Sequence, residues 1–337
     1  MRVTTTHPTE TTISRTQATV REGSLMNSPS PEPLASRISA IPNSLRRRGP
    51  SPLAGWQDGL VDAGLGPKRS QLGAVLRTLE RVVVAYSGGV DSALLASIAQ
   101  STLGEDSLAV TAVSPSLARR ELSAATDLAR RLHLNHVVVS THEIGRDEYA
   151  RNDSDRCYWC KTELFEVLGP LADERDATIV TGTNLDDLGD HRPGLRAAAE
   201  RGVRAPLAES GFTKDDVRAL ARDIGIPIFD KPASPCLASR FAYGVRVTPR
   251  GLRRIDQAEE IVRAYGFETF RVRDHGDLAR IEVEEAEIER AAALKDELSA
   301  QFRELGFRFV TLDLTGFRSG SLNEVLAPPT ITSRAAE

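Results

Sequence analysis

The sequence predicts an α/β fold, a parallel sheet flanked by helices, followed by a smaller α+β domain. Strand-like segments at 81–86, 107–113, 136–140 and 177–182 alternate with helix-like segments at 91–102, 117–132 and 160–173, the order that βαβ units require. The run Ser87-Gly88-Gly89-Val90-Asp91-Ser92 stands at the first strand-to-helix junction, where a tight glycine turn joins the two. After Pro249 the texture shifts: a helix near 250–265, strands near 268–273 and 278–284, a long helix to about Leu305 and a strand at 307–313.

Length and composition bound the organisation. At 337 residues the chain exceeds one typical domain. Residues 1–67 are rich in Thr, Ser, Pro and Arg without sustained apolar periodicity, which predicts a disordered extension, with Arg46-Arg47-Arg48 as a solvated charge run. From Lys68 the pattern changes: Leu72, Leu76 and Leu79 fall at helical spacing and lead into the β-branched run Val82 to Val84. Thr213 with Asp215 and Asp216 reads as the N-cap and acidic first turn of a further helix to Ile224. The expected boundaries are an extension over 1–67, a nucleotide domain over 68–230, a C-terminal domain over 231–325 and a flexible tail over 326–337.

A net charge of -4 argues against binding nucleic acid by bulk electrostatics. No stretch reaches the length of a membrane span and the N-terminus lacks an apolar leader, so the expected location is the cytoplasm. Three cysteines are too few for a disulfide scaffold and suit metal binding or catalysis.

The junction at 87–92 carries the chemistry. Successive N–H groups of the two glycines can converge on an anion at the positive end of the next helix, which suits the phosphates of ATP. A Walker loop needs a lysine and a hydroxyl after its last glycine; here Asp91 and Ser92 follow without a lysine, so cleavage at the γ-phosphate is disfavoured. The bland alternative is a Gly-Gly turn that binds nothing. A second turn, Gly182-Thr183-Asn184-Leu185-Asp186-Asp187, ends the strand at 177–182 and so lies on the same sheet edge. Its aspartates suit a hard cation: Asp91 with Asp186 or Asp187 would place Mg²⁺ against a leaving pyrophosphate, the alternative being an Asx turn with solvated acids.

Cys157-Tyr158-Trp159-Cys160 is a CxxC pair, and Pro235-Cys236-Leu237 adds a third thiol. Three thiolates could hold a [4Fe–4S] cluster and leave one iron open to an external ligand such as sulfide. A zinc site completed by His191 or His142 and a redox dithiol are the alternatives. Arg240, Arg271, Arg273, Arg280 and Arg318 cluster late in the chain, Arg271 and Arg273 on one strand face. As a group they suit a phosphate through forked hydrogen bonds; singly, each reads as a solvated arginine or one paired with Glu282 or Glu284.

The hexapeptide resembles the signature of the ATP pyrophosphatase loop family, whose fold is an adenine nucleotide α-hydrolase-like parallel sheet and whose members cut ATP between the α- and β-phosphates. With Asp155-Arg156-Cys157-Tyr158-Trp159-Cys160-Lys161, Pro235-Cys236-Leu237-Ala238-Ser239-Arg240, Arg271-Val272-Arg273, Ala279-Arg280-Ile281-Glu282 and the segment 316–323, the chain resembles the ATP-dependent sulfur transferases that build the nickel-pincer nucleotide cofactor of lactate racemase. The resemblance spans about 70–325 and leaves the first 67 residues unmatched. It implies adenylation of a carboxylate on a pyridinium dicarboxylate mononucleotide, a nicotinate-derived substrate, and displacement of AMP by sulfur. It further implies Ser87, Gly88, Gly89, Val90, Asp91, Ser92, Gly182, Asn184, Asp186 and Asp187 at ATP and Mg²⁺, Asp91 and Cys236 in catalysis, and Arg240, Arg271, Arg273, Glu282 and Arg318 at the substrate. Cys157, Cys160 and Cys236 would be the metal ligands, as in members with a cluster; members with a lone cysteine sacrifice its sulfur. The resemblance also implies assembly from several copies, with no nucleic-acid partner. The rivals are a tRNA thiolase, which requires a broad basic face, and a cluster-bearing, ATP-binding regulator without turnover.

Overall fold

The computed structural model describes residues 38–39, 65–189, 193–232, 234–318 and 321, all of them within one compact unit, 34–337. The expectations of disorder in the extension and of a flexible tail over 326–337 therefore fall almost wholly outside the described residues. What is described before residue 65 is a two-residue strand, β1 (Ile38–Ser39), paired antiparallel with β4 (His136–Ser140). The described chain resumes at Leu65 and helix α1 (Gly66–Leu79), in which Pro67 stands where its missing N–H costs nothing.

The first sheet has the order β1-β4-β3-β2-β5, where β2 is Val82–Ala85, β3 Ser107–Val113 and β5 Thr178–Thr181. β4, β3, β2 and β5 all run parallel. Strand alternation sends Val82, Val84 and Val180 to one face, where they pack with α2 (Val90–Leu103), α3 (Arg119–Arg131) and α9 (Lys214–Asp223). Val83, Leu108, Val110 and Val139 face the other side, against Val167, Leu168 and Leu171 of helix α5 (Arg156–Arg175). Helix α2 is apolar nearly all round because the sheet lies on one side of it and α1 and α9 on the other.

The direction of winding positions the site. From β2 the chain steps through β3 to β4 and then returns to the opposite side of β2 as β5, so the order reverses between β2 and β5. The loops leaving β2 and β5 diverge at that point and open a crevice at the carboxyl ends of the strands. Both glycine turns stand there, as the sequence predicts.

Short helices α4 (Asp147–Ala150), α6 (Leu185–Leu188), α7 (Pro193–Ala199) and α8 (Pro206–Glu209) fill the loops and have no sequence-level signal long enough to predict them. Thr213 caps α9 as predicted, accepting the Asp216 N–H at 3.2 Å while the Asp216 carboxylate accepts the Thr213 N–H at 2.8 Å.

A second, three-stranded sheet follows in the chain, β6 (Phe270–Asp274), β7 (Leu278–Val283) and β8 (Phe309–Leu312), antiparallel between β6 and β7 and parallel between β7 and β8. It packs with α10 (Pro249–Ala264) and with Leu298 and Phe302 around its own apolar cluster. The single long helix predicted up to Leu305 is instead two, α11 (Ile288–Ala293) and α12 (Lys295–Glu304). The break is physical: the Leu294 N–H bonds the Ala291 carbonyl three residues back, tightening the last turn, and its ψ of 18° leaves the helical range.

Truncating the core should cost what close packing implies. Leu95→Ala, at a fully buried position of α2, is expected to destabilise the protein by about 2–5 kcal/mol, read as a lowered urea midpoint with unchanged slope; a loss below ~1 kcal/mol contradicts the packing described.

Candidate active site

The β2–α2 turn is fixed by its own side chains. Gly88 has φ +74°, and a Cβ there would lie 2.6 Å from the Ala125 Cβ and 2.9 Å from its Cα, so α3 closes against the turn with no room for a side chain. The Ser92 hydroxyl donates to the Gly89 carbonyl at 3.0 Å, accepts the Ser87 N–H at 3.2 Å and lies 3.1 Å from the Ser87 hydroxyl. Ser87 and Ser92 therefore act here as the internal brace of the loop. Val90 is buried as the first residue of α2, whose N-terminus points into the crevice at the switch point.

The second turn touches the first. A Cβ on Gly182 would sit 2.7 Å from the Ser92 nitrogen and 2.9 Å from the Asp91 carbonyl carbon, both backbone atoms that cannot give way. Buried Asn184 donates to Asp91 Oδ1 at 3.0 Å, and its own Oδ1 caps α6 by accepting the N–H groups of Asp186 and Asp187 at 3.0 and 3.2 Å. Asp187 returns the bond, accepting the Asn184 N–H at 3.1 Å.

Lys214 was not singled out in the sequence. Its Nζ contacts Asp91 Oδ2 at 2.5 Å, and its backbone N–H donates to Asp186 Oδ2 at 2.6 Å. A lysine in the first turn of a helix opposes the helix dipole, and that misfit was the available signal. Among the described residues, no group of three or more His, Cys, Asp or Glu side chains is gathered as one metal ion would need. The acids of this crevice are held by a lysine and by backbone N–H groups.

Helix α5 begins at Arg156, four residues before the predicted 160, so both CxxC thiols ride its first turn and share a face at i, i+3 spacing. Cys157 is exposed; Cys160 and Cys236 are half-buried, and both touch the cluster formed by Tyr149, Leu237, Phe241 and Ile255. The Leu237 N–H donates to the Ser116 carbonyl in the β3–α3 loop at 2.8 Å, which brings Cys236 to the same sheet edge as the glycine turns. Burial, with Cys236, Glu143 and Cys157 nearby, raises the Cys160 thiol to about 12, and burial with Cys236 and Cys160 nearby likewise raises Tyr149. Arg156 is itself buried; burial works against its charge, yet Cys236 and Cys157 outweigh that and the net shift is upward. These mutual influences put all three thiols in one neighbourhood. His142 is exposed after β4, and His191 lies outside the described residues.

The arginines divide. Arg240 is buried, forked onto Glu259 at 2.8 and 3.2 Å, and donates to the Pro235 and Cys236 carbonyls at 2.5 and 3.2 Å, so it braces the Cys236 turn. Arg273 is likewise buried against Glu282 at 2.8 and 3.0 Å, with Ser239 and Ser321 as further partners. Glu282, fully buried, also accepts from Arg280 at 2.9 Å. For Arg273 the pairing with Glu282 weighed in the sequence is the one the bonds realise, whereas Arg240 is paired with Glu259. Arg271 differs: half-buried on the same face, it has no ion pair among those described and stacks on Phe317 at 5.1 Å. Burial, aided by Arg240 and Arg273, lowers its pKa to about 10, still cationic at neutral pH. Arg318 is exposed on the loop after β8.

The family model for NAD synthase matches residues 74–155, the segment that holds the first glycine turn. The chain is 40% identical over 266 residues to the pyridinium-3,5-bisthiocarboxylic acid mononucleotide synthase of Lactiplantibacillus plantarum, covering 78% of this chain and 96% of the relative. The chain belongs to that synthase family. It is also 45% identical over 251 residues to an uncharacterised protein of Synechocystis, covering 74% of this chain and 94% of that one. A tRNA-specific 2-thiouridylase of Azorhizobium caulinodans is 32% identical over 195 residues, 46% of this chain and 49% of the thiouridylase. The synthase likeness runs over nearly the whole relative, whereas the thiouridylase likeness covers about half of each chain.

Two consequences can be measured. Gly182→Ala should push the two turns apart, lowering stability by about 1–3 kcal/mol and ATP affinity with it; unchanged nucleotide binding by calorimetry would contradict the close approach. At pH 8 a thiol at about 12 is thiolate to only ~10⁻⁴, so iodoacetamide should label exposed Cys157 long before Cys160. Peptide mass spectrometry showing equal rates would exclude the half-buried, protonated Cys160.

Proposed function

We propose that this chain is an ATP-dependent sulfurtransferase that turns the carboxylates of pyridinium-3,5-biscarboxylic acid mononucleotide into thiocarboxylates, the product named for its L. plantarum relative. The observation that carries the reading is the placing of both glycine turns and all three cysteines along one sheet edge, in a chain that matches that synthase over 96% of its length. A carboxylate oxygen of the substrate attacks the α-phosphorus of ATP, the bond to the β-phosphate breaks, and pyrophosphate leaves. Sulfur then attacks the acyl carbon, and AMP departs with its electron pair.

The residues divide this work by place. The N–H groups of Gly88 and Gly89 and the N-terminus of α2 suit the phosphates. Asp91, with Asp186 across the crevice, would hold Mg²⁺ on the leaving pyrophosphate, and Lys214 supplies a cation at the same place. Arg271, left without a carboxylate partner, suits the substrate phosphate, with Arg318 at the rim. Arg240, Arg273 and Glu282 hold the frame behind it. Three thiols make a soft donor set that suits a [4Fe–4S] cluster held by Cys157, Cys160 and Cys236. Such a cluster, when bound, supplies an iron site able to carry an extra sulfide. The chain is expected to work in the cytoplasm as an assembly of several copies.

Anaerobically purified protein should contain iron and acid-labile sulfide and should form thiocarboxylate from ATP and the dicarboxylate mononucleotide. Cys236→Ala should keep pyrophosphate release and lose the thiocarboxylate, whereas Arg271→Met should raise the substrate KM by roughly 10- to 100-fold, the value of one charge-assisted bond. Iron-free protein that remains fully active removes the cluster, and full activity of Cys236→Ala removes the sulfur route altogether. Turnover on tRNA in place of the mononucleotide would favour the thiolase reading.

A further inference from the structure

Cys236 stands 79 residues after Cys157 and 76 after Cys160, so something must register the two segments against each other. Beneath the thiols a two-residue strap does so. Asn152 is fully buried, in the left-handed region at φ +63°, and its side-chain amide donates to the carbonyls of Ala242 at 2.8 Å, Val245 at 3.1 Å and Phe241 at 3.4 Å. Its Oδ1 accepts from Arg156, and the same guanidinium nitrogen donates to the Ala238 carbonyl at 2.9 Å. Arg156 adjoins Cys157, and Ala238 is two residues from Cys236. A backbone bond, Val247 N–H to the Ala150 carbonyl at 2.8 Å, runs beside the strap.

We propose that Asn152 and Arg156 are positioning residues that hold the Cys236 turn in register with the CxxC turn of α5. Two features speak for a specific device over ordinary packing. The left-handed region is uncommon for non-glycine residues, and asparagine, which tolerates it best, takes it here at a fully buried position with its amide committed to three carbonyls. A guanidinium nitrogen that bridges the Asn152 amide oxygen and the Ala238 carbonyl, with no carboxylate partner among the bonds described, ties the start of α5 directly to the Cys236 turn. The inference deepens the proposed function by naming what assembles its sulfur site.

The test uses full-length, iron-free protein under anaerobic reducing conditions, with dibromobimane as the probe, which joins two thiols only when they are close. In the wild type, Cys236 should be joined to Cys157 or Cys160. In Arg156→Met and Asn152→Gly those products should fall roughly tenfold, the worth of one buried charge-assisted bond, while the Cys157–Cys160 product within one helix turn stays unchanged. Arg156→Lys, able to reach one acceptor, should restore part of the yield. Glycine accepts the left-handed angles, so Asn152→Gly carries the test if Arg156→Met does not fold. Unchanged Cys236 cross-linking in Asn152→Gly overturns the proposal, as does a matching loss of the Cys157–Cys160 product or a wild type in which Cys236 joins neither. The assay needs no ATP, iron or substrate, so its failure leaves the proposed function standing; a wild type that cross-links as expected yet makes no thiocarboxylate sinks the function alone.

Discussion

The contact between two backbone turns, at a place where neither can carry a side chain, governs this molecule. Gly182 lies against the first turn of α2 so closely that a single added carbon would meet backbone atoms at 2.7 and 2.9 Å. That approach lets Asn184 reach Asp91 and brings Lys214 within bonding distance of the same carboxylate. Three segments far apart in the chain thereby share one crevice, and the parallel sheet exists, in effect, to deliver them there.

Charge inside the protein is handled by a consistent rule. Buried guanidinium groups meet a carboxylate or several carbonyls: Arg240 with Glu259, Arg273 with Glu282, Arg156 with Asn152 and Ala238. Such pairs owe more to the cost of leaving a partner alone than to their net attraction, so they serve as frame more than as adhesive. Against this background Arg271 stands out, half-buried beside two other arginines without an ion pair of its own among those described. A cation kept in that state has an unmet demand for an anion.

The cysteine neighbourhood shows how one element can serve two ends. The start of α5 carries exposed Cys157 and half-buried Cys160, and the rest of the helix buries Val167, Leu168 and Leu171 against the sheet. The third thiol arrives on a turn clamped from three sides, by Ser116 through Leu237, by Arg240 and by Arg156. A turn held by this many bonds is pre-organised, with little conformational freedom left to lose.

Local chemistry was legible in the residues themselves. The β-branched runs, the glycine turns, the Thr213 capping box and the CxxC spacing each act within a few residues, where strand alternation, allowed φ and helix periodicity operate without help from the rest of the chain. They determined the parallel sheet and which turns face its switch point. Pairings across long separations were not legible: that Lys214 would hold Asp91, that Arg240 and Arg273 would be spent on buried glutamates while Arg271 was left over, or that Asn152 would bridge to residues 241–245. Such choices belong to the tertiary structure, because an arginine reads the same in sequence whether its partner is a carboxylate or a ligand. Only packing decides which charges are sealed from water and must be matched.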